Sequence, residues 1–242
     1  MRPGGVGHSR GMSADAERSW ARNALLAAVA GGTGSTGSET LVLGRGQRVH
    51  TAGAPADAVL FPLTCVVSLA TGGAGDDTDV TTVGREGLVG LAGLLGSETQ
   101  DTDAVCRVPG AAVRLPIGAA RGLLVDDVQG RAVLHRYVRG SVADLMQRLT
   151  CLRLHTSEQR CACWLLKTSD RVGEATFDLT HATLATMLGV RRATVTDSLA
   201  ALQRSAAVRS RRGTVTVLDR SALRTAACDC YEAFRQALPM TA

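Results

Sequence analysis

The chain is 242 residues long and 45% apolar, with seven aromatic residues and a formal net charge of +5. That is enough chain for one large core or two ordinary ones built on Leu, Val and Ala, and it excludes disorder over the whole length, which goes with low hydrophobicity and high net charge. No uncharged apolar run reaches the roughly 18 residues of a membrane span, and the N-terminal stretch has no apolar segment of the secretory kind, so a cytoplasmic location without membrane partners is expected.

Residues 1–18 are rich in Gly, Ser and charge and read as a flexible tail. A short helix is expected over Ser19 to Ala30, with Trp20, Leu25, Leu26 and Val29 as its apolar contacts. The stretch GGTGSTGSE at 31–39 ends it, closing a first segment at 1–38.

From residue 39 to 117 the text changes to short Val/Leu/Thr runs punctuated by Gly, Pro and Asp. Strands at roughly 8 to 12 residue intervals indicate an antiparallel sandwich or barrel. The Asp and Gly pairs before Thr78 predict a hairpin between Val66–Leu69 and Asp79–Val83.

Over 118–156 the period becomes helical. His135, Val138, Val142, Leu145, Leu149 and Leu152 are spaced 3, 4, 3, 4, 3 along one long helix. Such a stripe is either a core face or a dimer seam, and the β segment before it and the basic segment after it favour the seam. A further helix is expected over Glu158 to Asp170, opening a last unit at 157–242.

That unit carries the charge. Residues 171–225 hold nine Arg against four acids, a balance of +5, so the rest of the chain is neutral. A concentrated basic segment is the electrostatic footprint of a polyanion binder. Within it, LTHATLATMLGVRRATVTDSLAALQ (179–203) reads as two short helices. Thr180 is the expected N-cap of the first, Gly189 ends it because glycine takes positive φ, and Val190 buries in the turn. The second starts near Arg191 and buries Val195, Leu199 and Leu202. This is the helix-turn-helix pattern, with Arg191, Arg192, Ala193, Thr194, Thr196 and Asp197 on the face that could enter a major groove. Residues Ala207 to Leu218 alternate as a hairpin whose turn holds Arg211 and Arg212, a wing suited to phosphates. A closing helix is expected over Ser221 to Leu238.

The cysteines are seven in number: Cys65, Cys106, Cys151, Cys161, Cys163, Cys228 and Cys230. The pairs Cys161-x-Cys163 and Cys228-x-Cys230 have a one-residue gap, which on a helix points the thiols about 200° apart, so both are read as packing. His135, His155 and His181 each stand alone. No metal and no cofactor is expected. No GxSxG, P-loop or HExxH is present and Glu86 reads as a turn charge, so no enzyme activity is expected.

The run DLTHATLATMLGVRRATVTDSLAALQ with VRSRRGTVTVLDRSAL resembles the C-terminal winged helix of the Crp/Fnr family of bacterial transcription regulators. The likeness extends back through RLHTSEQRCACWLL to VGREGLVGLAGLLG and FPLTCVVSL, which are similar to that family's β-roll. The resemblance implies an α+β fold: an N-terminal antiparallel β-roll of jelly-roll type, a long central dimerisation helix and a C-terminal winged helix-turn-helix. It also implies a homodimer paired through Val138, Val142, Leu145, Leu149 and Leu152, with DNA contacts from Thr180, the recognition-helix face and the wing. Double-stranded DNA and a second copy are the implied partners, with RNA polymerase and an unidentified small-molecule effector as further candidates.

Two departures matter. The usual Arg-Glu-Thr-Val of the recognition helix is Arg192-Ala193-Thr194-Val195 here, and Asp197 replaces a later basic reader, so a different operator is expected. In the β-roll, Val89-Gly90-Leu91 lacks the carboxylate of cyclic-nucleotide binders and Thr102 to Cys106 lacks their phosphate-binding Arg, so cyclic AMP is not an expected ligand. Two alternatives stay open: a ligand- or protein-binding module with a vestigial helix-turn-helix, and a thiol- or metal-based redox sensor.

Overall fold

The computed structural model describes residues 19–29, 37–71 and 78–238; the tail expected over 1–18 lies outside them, as do Ala30 and most of the 31–39 linker. The helix expected over Ser19 to Ala30 is interrupted: Ser19 and Trp20 are helical, residues 21–23 turn, and α1 (Ala24–Val29) starts afresh with Asn23 as its cap, whose Oδ1 accepts from Leu25 N and Leu26 N while Nδ2 donates to the carbonyls of Pro62 and Gly87. Trp20, Leu25, Leu26 and Val29 are all buried.

Seven strands follow: β1 (Glu39–Leu43), β2 (Arg48–His50), β3 (Ala58–Pro62), β4 (Val66–Thr71), β5 (Thr78–Val83), β6 (Asp103–Val108) and β7 (Gly110–Pro116). They form two antiparallel sheets ordered β1-β7-β3 and β2-β6-β4-β5. The expected hairpin is present, pairing Val67 with Val83 and Leu69 with Thr81. Side chains alternate across a strand with a period of two. Leu60 and Ala112 therefore join Leu43, Val67, Val83, Ala104 and Cys106 in the core between the sheets. Their neighbours Val59, Phe61, Val113 and Leu115 face the other way and meet Trp20, Leu26, Leu134 and Phe234 from the helices. Helices thus cover the outer face of the three-stranded sheet.

After the short helices α2 (Leu91–Leu94) and α3 (Ile117–Arg121) comes α4 (Val128–Leu154), capped by Asp127, whose carboxylate accepts from Gly130 N at 2.7 Å. Its inward face is Gly130, Val133, Leu134, Tyr137, Gly140 and Asp144. The Tyr137 hydroxyl donates to the Leu88 carbonyl and accepts from Leu88 N, tying the helix to the roll. The stripe expected from the sequence lies on a different face. Val142, Leu145, Leu149 and Leu152 are exposed, and Val138 is half-buried at the stripe's edge. Val142, Leu145, Leu149 and Leu152 thus lie outside the chain's own core, whereas Val138 packs against it.

The C-terminal unit comprises α5 (Ser157–Val172), β8 (Thr176–Asp178), α6 (His181–Leu188), α7 (Arg192–Arg204), β9 (Val208–Arg211), β10 (Thr214–Val217), α8 (Arg220–Ala226) and α9 (Cys230–Ala237). The single closing helix expected over 221–238 is two helices. The chain is extended at Ala227 (φ −80°, ψ 157°), which lets Leu223 pack on α5 while Phe234 turns toward α4 and the roll. The architecture is α+β: an antiparallel roll, a long central helix and a helical unit with a three-stranded wing sheet ordered β8-β10-β9. Among the described residues no helix is long and apolar enough to cross a membrane.

Candidate nucleic-acid interface

The two helices of the motif are built as their residues dictate. Thr180 Oγ1 accepts from Thr183 N at 3.1 Å, a side-chain N-cap. Gly189 closes α6 in the left-handed region at φ 62°, where a Cβ would be strained, and its N–H returns to Thr186 O. Val190 is half-buried rather than fully buried. Arg191, extended at φ −68° and ψ 148°, is the cap residue of α7, and Val195, Leu199 and Leu202 are each within 1% of full burial.

Arg191, Arg192, Ala193, Thr196 and Asp197 are exposed on α7. Thr194 is half-buried beside Val195, and its carbonyl accepts from Ser198 Oγ. Thr180 is also half-buried, with its hydroxyl committed to the cap. The wing turn places Arg212 at φ 49° and Gly213 at φ 82°, the two successive positive φ values of a tight hairpin turn. Arg211 and Arg212 are both exposed there.

His181 joins these parts, a role its isolation in the sequence did not suggest. Nδ1 lies 3.0 Å from Thr196 Oγ1 on α7 and Nε2 lies 3.3 Å from Ser210 Oγ on β9. Gln203 Oε1 accepts from Ser210 N at 3.0 Å, a second tie between α7 and the wing. Side-chain hydrogen bonds therefore hold α7, which begins with Arg191 and Arg192, against β9, which leads into the Arg211–Arg212 turn. The C-terminal carbonyls of α6 are held in turn: Arg148 of α4 donates to Met187 O at 2.8 Å and Arg160 of α5 donates to Leu188 O. Cations at a helix C-terminus also complement its dipole.

In the roll, a cavity of about 180 Å³ is lined by Arg48, His50, Asp57, Val89, Gln100 and Arg114 among others. Both arginines face carboxylates, Arg48 with Asp103 at 2.9 Å and Arg114 with Asp57 at 3.6 Å. Asp103 also accepts from Ala52 N at 3.0 Å. Those contacts, the backbone one foremost, hold its carboxyl below the usual range.

One constellation was not anticipated. Cys151, His155, Cys228 and Cys230 converge, with their ligand atoms all within 4.8 Å of one another. The one-residue gap between Cys228 and Cys230 separates thiols only on a continuous helix, and here Cys228 sits in the break before α9. Hydrogen bonds from Cys151 and Cys163 hold the Cys228 thiol well below its ordinary range, and the same contacts push those two partners up.

Residues 159–226 match the model of the Crp-like helix-turn-helix domain. Solved structures similar to most of the chain include FixK2 from Bradyrhizobium japonicum, at 16% identity and a TM-score of 0.67 over 80% of this chain and 98% of that one. A transcriptional regulator of the CRP/FNR family from Thermus thermophilus aligns at 23% identity and a TM-score of 0.61, covering 78% of this chain and 98% of its own. The c-di-GMP-responsive global regulator CLP of Xanthomonas campestris aligns at 17% identity and a TM-score of 0.55, covering 74% and 93%. Among curated proteins no sequence matches the chain. The chain thus shares the fold of these structures, and its residues 159–226 are a Crp-like helix-turn-helix domain.

Proposed function

We propose that the chain is a sequence-specific DNA-binding transcription regulator acting as a homodimer. The observation that carries this reading is the pair of His181 contacts that ties α7, which begins with the exposed Arg191 and Arg192, to β9, which leads into the exposed Arg211–Arg212 turn. A fork-shaped guanidinium at the start of a helix suits guanine edges in a major groove, and arginines on a turn suit phosphates. Ala193 and Asp197, where the family has an acidic and a basic reader, give this face its own base preference.

The exposed stripe of Val142, Leu145, Leu149 and Leu152 supports the dimer. Burying each such side chain contributes about 1.5–3 kcal/mol, and a stripe along one helix is self-complementary about a two-fold axis. Pairing through it would present two recognition helices to two half-sites about one helical turn apart.

The test is selection of bound sites from genomic fragments, followed by affinity measured against salt. A regulator of this kind enriches a two-fold symmetric site and loses affinity steeply as salt rises, because each neutralised phosphate releases counterions with a slope of about 0.9. No enrichment, together with salt-independent binding, would leave the helix-turn-helix as a partner-contact module.

A further inference from the structure

We propose that Cys151, His155, Cys228 and Cys230 form a tetrahedral site for a single thiophilic divalent cation of the zinc class, placed where the central helix meets the last helix of the C-terminal unit. Cys151 and His155 are four residues apart at the C-terminal end of α4, so they share a face; Cys228 and Cys230 come from the break before α9 and its first turn.

The distances fit one ion. Around zinc, with S ligands at about 2.3 Å and N ligands at about 2.0–2.1 Å, the edges of the tetrahedron are about 3.8 Å between sulfurs and about 3.6 Å from sulfur to nitrogen. Cys151 Sγ lies 3.6 Å from Cys228 Sγ, and Cys230 Sγ lies 3.4 Å from His155 Nδ1. Every other donor pair is within 4.8 Å, so closing on an ion requires shifts of about 1 Å at most. The donor set is too tight for an iron–sulfur cluster, whose cysteines ligate separate irons. Three thiolates and an imidazole select a soft or borderline metal over calcium or magnesium.

The surroundings complete the site. Gln147 Nε2 donates to Cys230 Sγ at 3.1 Å, the kind of outer hydrogen bond that orients a ligand. Three thiolates and a divalent ion carry a net charge of −1, and Arg148, Arg160 and Lys167 line the adjoining cavity together with Cys151, Cys163 and Cys230. That cavity, about 50 Å³, offers an entry path for an ion with a water or two and is far too small for a nucleotide. Bound there, the ion cross-links the end of α4 to the start of α9, next to the exposed Leu149 and Leu152.

The experiment uses the full chain, reduced, stripped with a chelator, desalted and titrated without oxygen, first with Co(II) and then with Zn(II). The expected result is one Co(II) per chain with the intense visible bands of tetrahedral thiolate coordination, bleached by one equivalent of Zn(II), and a raised thermal midpoint on Zn(II) binding. Cys228→Ser should abolish the bands. His155→Ala, at a half-exposed position, should keep the fold and weaken Zn(II) binding at least tenfold, whereas Cys65→Ala in the roll should leave it unchanged. The proposal is overturned if the folded wild-type chain takes up no Co(II) in tetrahedral form or if His155→Ala and Cys228→Ser bind as tightly as wild type. It is equally overturned if peptide mapping of the untreated, metal-free chain shows a Cys151–Cys228 disulfide.

Discussion

Arg171 Nε lies 2.8 Å from Glu86 Oε1, and both side chains are 2% exposed. The pair joins α5 of the C-terminal unit to the turn after β5 in the roll. Arg171 also donates to Thr82 Oγ1 and stacks 4.8 Å from the centre of the Phe234 ring. Glu86 Oε1 accepts from Gly84 N as well, while Oε2 has no hydrogen-bond partner among the described residues. A buried pair of this kind contributes little net stability over an apolar replacement, yet breaking it strands a charge. Its evident consequence is to fix how the two halves sit.

Arg171→Leu should therefore destabilise the chain by about 3–5 kcal/mol, since the Glu86 carboxylate would stay buried without its partner. The double replacement Glu86→Leu with Arg171→Met should recover most of that loss. Urea unfolding of the wild type and the two variants checks this; a single variant as stable as wild type would mean that water reaches Glu86.

Leu145→Glu with Leu149→Glu should convert a dimer to a folded monomer. Leu145 and Leu149 are 37% and 64% exposed, so the charges meet solvent in one chain and each other's copies in a pair. Sedimentation reads the mass and circular dichroism the fold. A dimer that survives both changes assembles through another surface.

Much of this was legible in the sequence, and where it was not the reason is physical. Gly189 and the 4,3 spacing of Val195, Leu199 and Leu202 specify the helix-turn-helix locally, and turn residues specify the β4–β5 hairpin. The stripe from Val138 to Leu152 was visible as a period, but a period does not say which apolar face of α4 the chain covers itself. Strand β8 is three residues long and owes its existence to pairing with β10. The break at Ala227 carries no Gly or Pro, because packing against two different partners imposes it. That break is also why the cysteine cluster is not legible in the sequence: one continuous helix over 221–238 would point Cys228 and Cys230 apart, and their partners lie more than 70 residues away.

Cyclic AMP should not bind the roll at micromolar concentration. Leu91 offers no carboxylate for a ribose hydroxyl, and the stretch from Thr102 to Cys106 has no arginine for a phosphate; its Asp103 is instead a negative charge held by Arg48 and the Ala52 N–H. A cyclic phosphate brought near it would be repelled and incompletely paired. Titration calorimetry with the full chain measures this directly, and a micromolar dissociation constant would overturn it; Arg48 and Arg114 in the neighbouring cavity would then be the residues to replace.

Arg192 and Arg212 should divide the work of DNA binding. Arg192 stands exposed in the first turn of α7, where a guanidinium can meet O6 and N7 of guanine together, and losing such a contact costs about 1–3 kcal/mol of discrimination. Arg212 sits at the wing turn with φ 49°, projecting from a hairpin that His181 and Gln203 hold against α7. A charge there meets the sugar–phosphate backbone, which is the same in every sequence. Arg192→Ala should thus flatten the preference for operator over random DNA, while Arg212→Ala should weaken both about equally and lower the salt slope by about one unit. Replacing Arg212 with Gly, which takes positive φ without strain, separates the charge from the turn: it should bind as weakly as Arg212→Ala while leaving the fold at least as stable. The measurement is anisotropy on two DNAs at several salt concentrations with all three variants. Should Arg192→Ala lower affinity for both DNAs by one factor, α7 is not the reader, and base recognition would have to come from the wing.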